Sequence, residues 1–137
     1  METKQAASIL EKHRIKPSYL RLRIYCYLAG KRNHPTVDTI YRDLSPEIPT
    51  LSRTTVYNTL NLFARSGLVQ TLTIEENENR YDAETALHAH FKCDGCGEIT
   101  DIYMAASSLQ VNLPEGFLLR EKQLYTFGTC PRCLSGR

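Results

Sequence analysis

The sequence predicts an α+β fold in which a helical first half is followed by a small α/β unit. Apolar side chains recur at helical spacing through residue 67 and alternate at strand spacing in residues 69–74, and two Cys-x-x-Cys pairs lie in the second half. The 137 residues suffice for one ordinary domain or two small ones. Because each half alone has a marginal core, a metal ion would help it to stay folded.

Four short helices are predicted in the first half, the first over residues 3–13. Each of the other three has residues at both ends that favour the start or the stop of a helix. These are Pro17-Ser18 and Gly30 for the second helix, Thr36 and Ser45-Pro46 for the third, and Ser52 and Ser66-Gly67 for the fourth.

A hairpin follows the helices, because the alternating residues 69–74, the polar residues 75–79 and the segment 80–82 read as strand, turn and strand. Helices followed by a hairpin indicate a winged helix-turn-helix DNA-binding domain over residues 1–82. In such a domain the helix after the turn enters the major groove, and the hairpin is the wing.

A hinge is predicted at residues 83–87, and a small α/β domain at residues 88–137. The elements expected in this domain are strands near residues 88–93, 98–103 and 117–127 and a helix near residues 105–111.

Charge is distributed unevenly along the chain. Residues 1–67 carry 11 Lys+Arg against 5 Asp+Glu, a net of +6, and residues 68–137 carry 6 against 10, a net of −4. The basic half suggests an anionic partner and the acidic half suggests cations, although charges of this size also occur on ordinary solvated surfaces.

No secretory signal or membrane-spanning run is visible, so a soluble cytoplasmic protein with no membrane partner is expected. In that reducing compartment, five cysteines favour metal or thiol chemistry over disulfides.

The two Cys-x-x-Cys pairs are the strongest signal in the sequence. Cys93 with Cys96 and Cys130 with Cys133 can form a tetrahedral four-thiolate cage that suits a structural Zn²⁺ ion. A dithiol redox switch is the alternative, but two pairs favour zinc. Cys26 lies in an apolar register and is predicted to be a core cysteine.

With the four cysteines assigned to zinc, the remaining candidate ligands are histidine nitrogens and aspartate oxygens, which could form a second metal site. His88 and His90 alternate on a predicted strand and share one face, and Asp101 on the next strand could lie beside them. Asp82 and His34 are further candidates, and such a set suits Fe²⁺, Mn²⁺ or Zn²⁺. The plain alternatives are a surface His-x-His pair and an ordinary His-Pro turn.

The sequence resembles the ferric uptake regulator family over nearly its whole length. The resemblance implies dimeric, metal-dependent bacterial transcription factors with a winged-helix domain and a C-terminal dimerisation domain, which repress from palindromic AT-rich operators in double-stranded DNA. The motifs that carry it are HPTVDTIY (34–41), TTVYNTLNLFARSGLV (54–69), NRYD (79–82), HAHFKCDGCGEITDI (88–102) and CPRC (130–133).

The resemblance also implies roles for individual residues. The four paired cysteines match the structural zinc ligands, and His34, Asp82, His88, His90 and Asp101 match the regulatory Fe²⁺ or Mn²⁺ ligands of the peroxide-sensing branch. Iron sensors typically have glutamate where Asp82 and Asp101 stand and arginine where Asn58 stands.

The resemblance to that branch implies that hydrogen peroxide acts on the iron-loaded protein and that a ligand histidine, here His34 or His88, takes up an oxygen atom. The alternative is an iron, manganese or zinc uptake regulator without ligand oxidation. A thiol-switch regulator and a small metal-dependent hydrolase or oxygenase are further alternatives. The sequence shows no substrate-binding segment or general base, so we do not expect an enzyme.

DNA reading is assigned to the segment 52–61. Tyr57 could contact a thymine methyl group or a sugar, or could instead be a core aromatic. The family's Thr-Pro-Gln-Arg motif is two residues longer here, which leaves the role of Arg21 open. The predicted DNA contacts are Arg21, Ser52, Arg53, Thr54, Thr55, Tyr57 and Asn58.

Overall fold

The computed structural model describes residues 1–86 and 88–136, except the side chain of Ala106, and the chain divides into two compact units between Thr85 and Ala86. The predicted α+β class is confirmed, because the first unit is mainly helical and the second contains a three-stranded sheet. No helix in the described ranges combines the length and the apolar character needed to cross a lipid bilayer.

Four helices form in the described part of the first unit: α1 (Thr3–Lys12), α2 (Tyr19–Lys31), α3 (Val37–Leu44) and α4 (Arg53–Arg65). The predicted caps are confirmed at three of them, where a hydroxyl oxygen accepts a hydrogen bond from a backbone N–H in the first turn. The capping residues are Ser18 for α2, Thr36 for α3 and Ser52 for α4.

The prediction that Gly30 ends the second helix is wrong. Helix α2 continues through Gly30 to Lys31, and the chain leaves the helix at Arg32, whose φ of 51° is in the left-handed region. Gly30 is thus the penultimate residue of the helix, and the predicted stop differs from the observed end by one residue.

The helices enclose one apolar core, which forms because their buried positions recur every three or four residues. Its members include Leu10, Ile24, Leu28, Ile40, Val56, Leu60, Phe63 and Tyr81.

A short antiparallel hairpin follows, with β1 (Gln70–Leu72) paired to β2 (Arg80–Asp82) so that Gln70 faces Asp82. The first strand is shorter than the predicted 69–74. Beyond β2, the backbone N–H of Glu84 donates to the Asp82 carboxylate, and Arg32 pairs with Glu84 at 2.8 Å. The beginning of the predicted hinge at 83–87 is therefore tied to the first unit, and Leu87 lies outside the described residues.

The second unit contains a sheet in the order β4-β3-β5, formed by β3 (Ala89–Cys93), β4 (Ile99–Ile102) and β5 (Tyr125–Gly128). Strand β3 pairs antiparallel with β4 and parallel with β5. A 3₁₀ turn spans Ala106–Leu109, and a short helix, α5 (Pro131–Leu134), follows the sheet.

Two predictions for this unit were wrong in extent. The helix near residues 105–111 is a four-residue 3₁₀ turn, in which Leu109 is the buried apolar residue among the side chains that the structure describes. The strand over residues 117–127 is restricted to 125–128, because Phe117 to Leu119 are exposed and have no strand beside them.

Candidate metal centres and nucleic-acid interface

The parallel pairing of β3 with β5 brings the two Cys-x-x-Cys segments together. Cys93 faces Gly128 across the two strands, and the backbone N–H of Asp94 donates to the Gly128 carbonyl at 2.7 Å. Cys130 follows two residues later, and its backbone N–H lies 3.3 Å from the Cys93 sulfur. The sheet register therefore places both cysteine pairs at one end of β3.

The four sulfurs form a compact cluster. The sulfur atoms of Cys93, Cys96, Cys130 and Cys133 all lie within 4.8 Å of one another, and those of Cys96 and Cys130 are 3.9 Å apart. A tetrahedral Zn²⁺ ion with four Zn–S bonds of 2.3 Å separates its sulfurs by about 3.8 Å. The cluster thus has the composition and dimensions of a closed zinc site.

The electrostatics of the cluster favour a cation. Hydrogen bonds from the backbone N–H groups of Cys130 and Cys96 lower the pKa of Cys93 to about 6, so this sulfur is a thiolate at neutral pH. The neighbouring sulfur of Cys130, followed by that of Cys93, raises the pKa of Cys133 to about 12. The four sulfurs therefore do not all become thiolates easily, because the negative charges repel one another. A divalent cation bound between them would offset this repulsion.

Gly95 permits this close approach. A side-chain Cβ at position 95 would lie 2.9 Å from the Cys133 sulfur, which is closer than real Cβ contacts allow. Gly97, with a φ of 77°, then turns the chain back toward β4 in a conformation that favours glycine.

The second unit also holds a histidine–carboxylate group. His90 pairs with Asp101 across β3 and β4, and the Asp101 Oδ1 lies 3.2 Å from Nε2 of His88 and 3.3 Å from Nε2 of His90. Both imidazoles are buried, with His90 only 1% exposed. One carboxylate therefore faces two Nε2 atoms.

His88 is oriented by groups that the sequence did not indicate. Its Nδ1 is 2.7 Å from the backbone carbonyl of Ala86, and its ring stacks on Tyr103 with 5.4 Å between centroids. With the proton on Nδ1 directed at this carbonyl, the Nε2 lone pair remains available as a ligand. The sequence pattern His-x-His predicts neither the contact with the Ala86 carbonyl nor the stacking on Tyr103.

The first unit holds a second histidine–carboxylate pair. His34, in the turn between α2 and α3, places Nε2 3.5 Å from Oδ2 of Asp82 at the end of β2, and both residues are buried. The backbone at His34 has a φ of 50°, a left-handed conformation that non-glycine residues hold when surrounding contacts maintain it. Imidazole and carboxylate donors without a thiolate fit Fe²⁺ or Mn²⁺.

Helix α4 presents a polar face to solvent. Tyr57 is 49% exposed, which overturns its alternative assignment as a core aromatic. Thr55 is half-buried, and its backbone N–H and hydroxyl both contact the Ser52 hydroxyl. The remaining candidates on this face are exposed, namely Ser52, Arg53, Thr54 and Asn58.

The two candidate arginines already have protein partners. The Arg53 Nε donates to Asp38 at 2.6 Å, and its guanidinium lies over the Tyr41 ring, 4.5 Å from the centroid. The Arg21 guanidinium donates to the Lys16 carbonyl at 2.8 Å and so closes the turn before α2. A DNA contact by Arg53 would therefore compete with its ion pair to Asp38.

Cys26 lies on α2, partly buried against the helical core, with its sulfur 3.8 Å from the Met1 carbonyl. Its place beside the core agrees with the apolar register that predicted a core cysteine.

Comparison with known proteins identifies the family. The model of the ferric uptake regulator family matches residues 12–126. The peroxide operon regulator of Bacillus subtilis is 34% identical over 135 residues, which cover 96% of this chain and 93% of that protein. The chain belongs to the ferric uptake regulator family. Membership places it among metal-responsive transcriptional regulators.

Two solved structures of this family extend the comparison. The structure described as the basis of peroxide sensing and gene regulation by PerR from Streptococcus pyogenes is 28% identical, with a TM-score of 0.54 and coverage of 96% of this chain and 92% of that one. The Helicobacter pylori ferric uptake regulator, described as having three functional metal-binding sites, has a TM-score of 0.73. It covers 98% of this chain and 95% of that one at 18% identity, so it supports the fold alone.

Proposed function

We propose that this family member is a metal-dependent, DNA-binding repressor that senses hydrogen peroxide through iron-catalysed oxidation of a ligand histidine. The observation that carries the proposal is a set of buried imidazoles facing aspartates: His34 with Asp82, and His88 and His90 with Asp101. The PerR structure from Streptococcus pyogenes is described as the basis of peroxide sensing. The sequence resemblance implies that Asp82 and Asp101 stand where the peroxide-sensing branch of the family has its ligands.

The sulfur donors and the nitrogen and oxygen donors suit two different metal ions, one structural and one regulatory. A closed four-sulfur cluster leaves no open position for a reactant, so we assign Cys93, Cys96, Cys130 and Cys133 to structural Zn²⁺. The nitrogen and oxygen donors suit a regulatory Fe²⁺ or Mn²⁺ ion. The ligands assigned to that ion are His34, Asp82, His88, His90 and Asp101.

Peroxide sensing would require a ligand that can be oxidised. Fe²⁺, when bound, would supply the redox chemistry that catalyses cleavage of the O–O bond of hydrogen peroxide. The ring of His34 or His88 would supply the two electrons overall: it gains one peroxide oxygen, and the other peroxide oxygen leaves as water. The oxidised imidazole is a poorer donor, so metal affinity and repression are lost together.

Peptide mass spectrometry on anaerobically iron-loaded protein tests this proposal. After brief peroxide exposure, we expect a gain of one oxygen atom on the peptide containing His34 or His88, together with loss of operator binding. The manganese-loaded protein is the matched control and should keep both histidines intact, because Mn²⁺ reacts poorly with peroxide.

Two other results would replace the proposal. Unmodified histidines with operator binding retained would leave the alternative, an iron, manganese or zinc uptake regulator without ligand oxidation. Disulfides among the four clustered cysteines, with zinc released, would assign the response to the thiols.

We further propose that residues 1–82 act as a winged helix-turn-helix, with α4 in the major groove and the β1–β2 hairpin as the wing. The exposed polar face of α4 supports this assignment, as does the net positive charge of residues 1–67. The proposed target is a palindromic AT-rich operator, read by two copies of the chain.

Dimerisation is assigned to the second unit. Its described surface exposes several large apolar side chains, and Leu118 is 96% exposed. A second copy of the chain would remove this surface from water. Those that are at least half exposed are Tyr103, Val111, Phe117, Leu118, Phe127 and Leu134.

We expect Arg53→Ala to weaken operator binding by about tenfold and to flatten its salt dependence, since a lost phosphate contact lowers the slope of log K against log salt by about 0.9. Fluorescence anisotropy from low to physiological salt measures both effects. Asp38→Asn is the partner variant: it releases Arg53 from its ion pair and should tighten binding. An unchanged slope in Arg53→Ala would remove Arg53 from the DNA interface.

A further inference from the structure

Arg80 holds two separate parts of the first unit together. It is the first residue of β2, and its side chain is only 23% exposed. Its Nε donates to Glu75 Oε1 at 2.6 Å, and its Nη2 lies 3.4 Å from Glu75 Oε2. The remaining nitrogen, Nη1, donates to the backbone carbonyl of His34 at 3.1 Å.

The carbonyl that Arg80 binds belongs to a proposed metal ligand. His34 has a left-handed backbone, and β2 contacts this turn at three consecutive residues. Arg80 binds the His34 carbonyl, the Tyr81 N–H donates to the Pro35 carbonyl at 3.0 Å, and Asp82 faces the His34 ring. The orientation of the His34 imidazole therefore depends on the position of β2.

We propose that Arg80 is a positioning residue that sets His34 for metal binding and links the metal site to the hairpin. This inference rests on the proposed function, because it requires His34 to be a ligand. The guanidinium suits this role, since its fixed fork can bind a carboxylate at two points and still reach a carbonyl. Metal binding at His34 would in turn hold the hairpin through the same hydrogen bonds.

Arg80→Gln tests the proposal in the full-length, zinc-loaded chain with Mn²⁺ as the probe. We expect the Kd for Mn²⁺ to rise about 10-fold or more. Effects of this size follow when a residue that hydrogen-bonds to a metal ligand is replaced. Operator binding at saturating Mn²⁺ should return to within about twofold of wild type. Arg42→Gln, which changes an exposed arginine beside Asp43, is the matched control and should leave the Mn²⁺ affinity unchanged.

A double-mutant cycle separates this role from general support of the fold. If Arg80 acts through His34, adding Arg80→Gln to His34→Ala should not weaken Mn²⁺ binding further. Should Arg80→Gln fold poorly, Arg80→Lys keeps the charge but loses the two-point contact, and is expected to weaken Mn²⁺ binding severalfold.

The outcomes distinguish the inference from the proposed function. A Mn²⁺ affinity that is unchanged in Arg80→Gln but reduced in His34→Ala would overturn the inference alone. Mn²⁺ binding unaffected by His34→Ala would overturn the ligand assignment itself. Weaker operator binding at saturating Mn²⁺, with unchanged Mn²⁺ affinity, would show that Arg80 supports only the hairpin.

Discussion

Replacing Cys96 by serine is expected to abolish stoichiometric zinc binding and to destabilise the second unit. Cys96 is exposed, so the substitution removes a ligand without opening a cavity in the core. Structural zinc stabilises small domains by about 10 kcal/mol or more, and a hydroxyl does not replace a thiolate ligand at neutral pH. Elemental analysis after chelator dialysis measures the zinc, and circular dichroism during heating measures the unfolding.

Cys26→Ser is the matched control, because Cys26 lies on α2 against the helical core and is not a member of the sulfur cluster. It should keep zinc at the wild-type level. Retention of zinc by Cys96→Ser through chelator dialysis would contradict the assignment of the cluster. Acidification should also release zinc from the wild type, because the ligands bind as thiolates and protons compete for them.

Replacing Asp101 by alanine is expected to weaken regulatory metal binding by about 100-fold or more. The substitution removes a charged ligand itself, and not only a residue that hydrogen-bonds to a ligand. The carboxylate faces Nε2 of both His88 and His90, so one substitution affects two other proposed ligands. Titration of the zinc-loaded chain with Mn²⁺ measures the affinity, and operator binding should fall with it.

Glu115→Gln removes an exposed carboxylate from the same unit and should leave Mn²⁺ binding intact. Asp101→Glu is a second variant: it keeps the charge, and iron sensors of this family typically have glutamate there. We expect it to bind Mn²⁺ but to show less histidine oxidation after peroxide treatment of the iron-loaded protein. Wild-type Mn²⁺ affinity in Asp101→Ala would exclude Asp101 as a ligand.

Local features of the structure were predictable because they depend on residues close in sequence. Ser18, Thr36 and Ser52 each cap a helix by accepting a hydrogen bond from an N–H three residues later. The alternation of His88 and His90 with Ala89 likewise follows from strand geometry, which puts side chains two apart on the same face.

The ends of two elements were mispredicted. Gly30 favoured a helix stop, but α2 continues one residue past it to Lys31, and the left-handed residue that follows the helix is Arg32. The apolar residues in 117–127 favoured a strand, but only Tyr125–Gly128 pairs with β3. Composition alone does not show whether a neighbouring strand is present to complete the hydrogen bonds.

The sequence by itself determined the class of fold, the ends of most helices, the zinc-type cysteine pairs and the family. Tertiary structure alone decided how distant groups are brought together: the β3–β5 register that joins the cysteine pairs, the ion pair that occupies Arg53 and the bond from Arg80 to the His34 carbonyl, 46 residues away. Capping and periodicity act over three or four residues, whereas these contacts depend on how whole strands and helices pack. The spacing of the cysteines predicts that the two pairs share a site, but it does not give the strand register that joins them, nor the partners of Arg53 and Arg80.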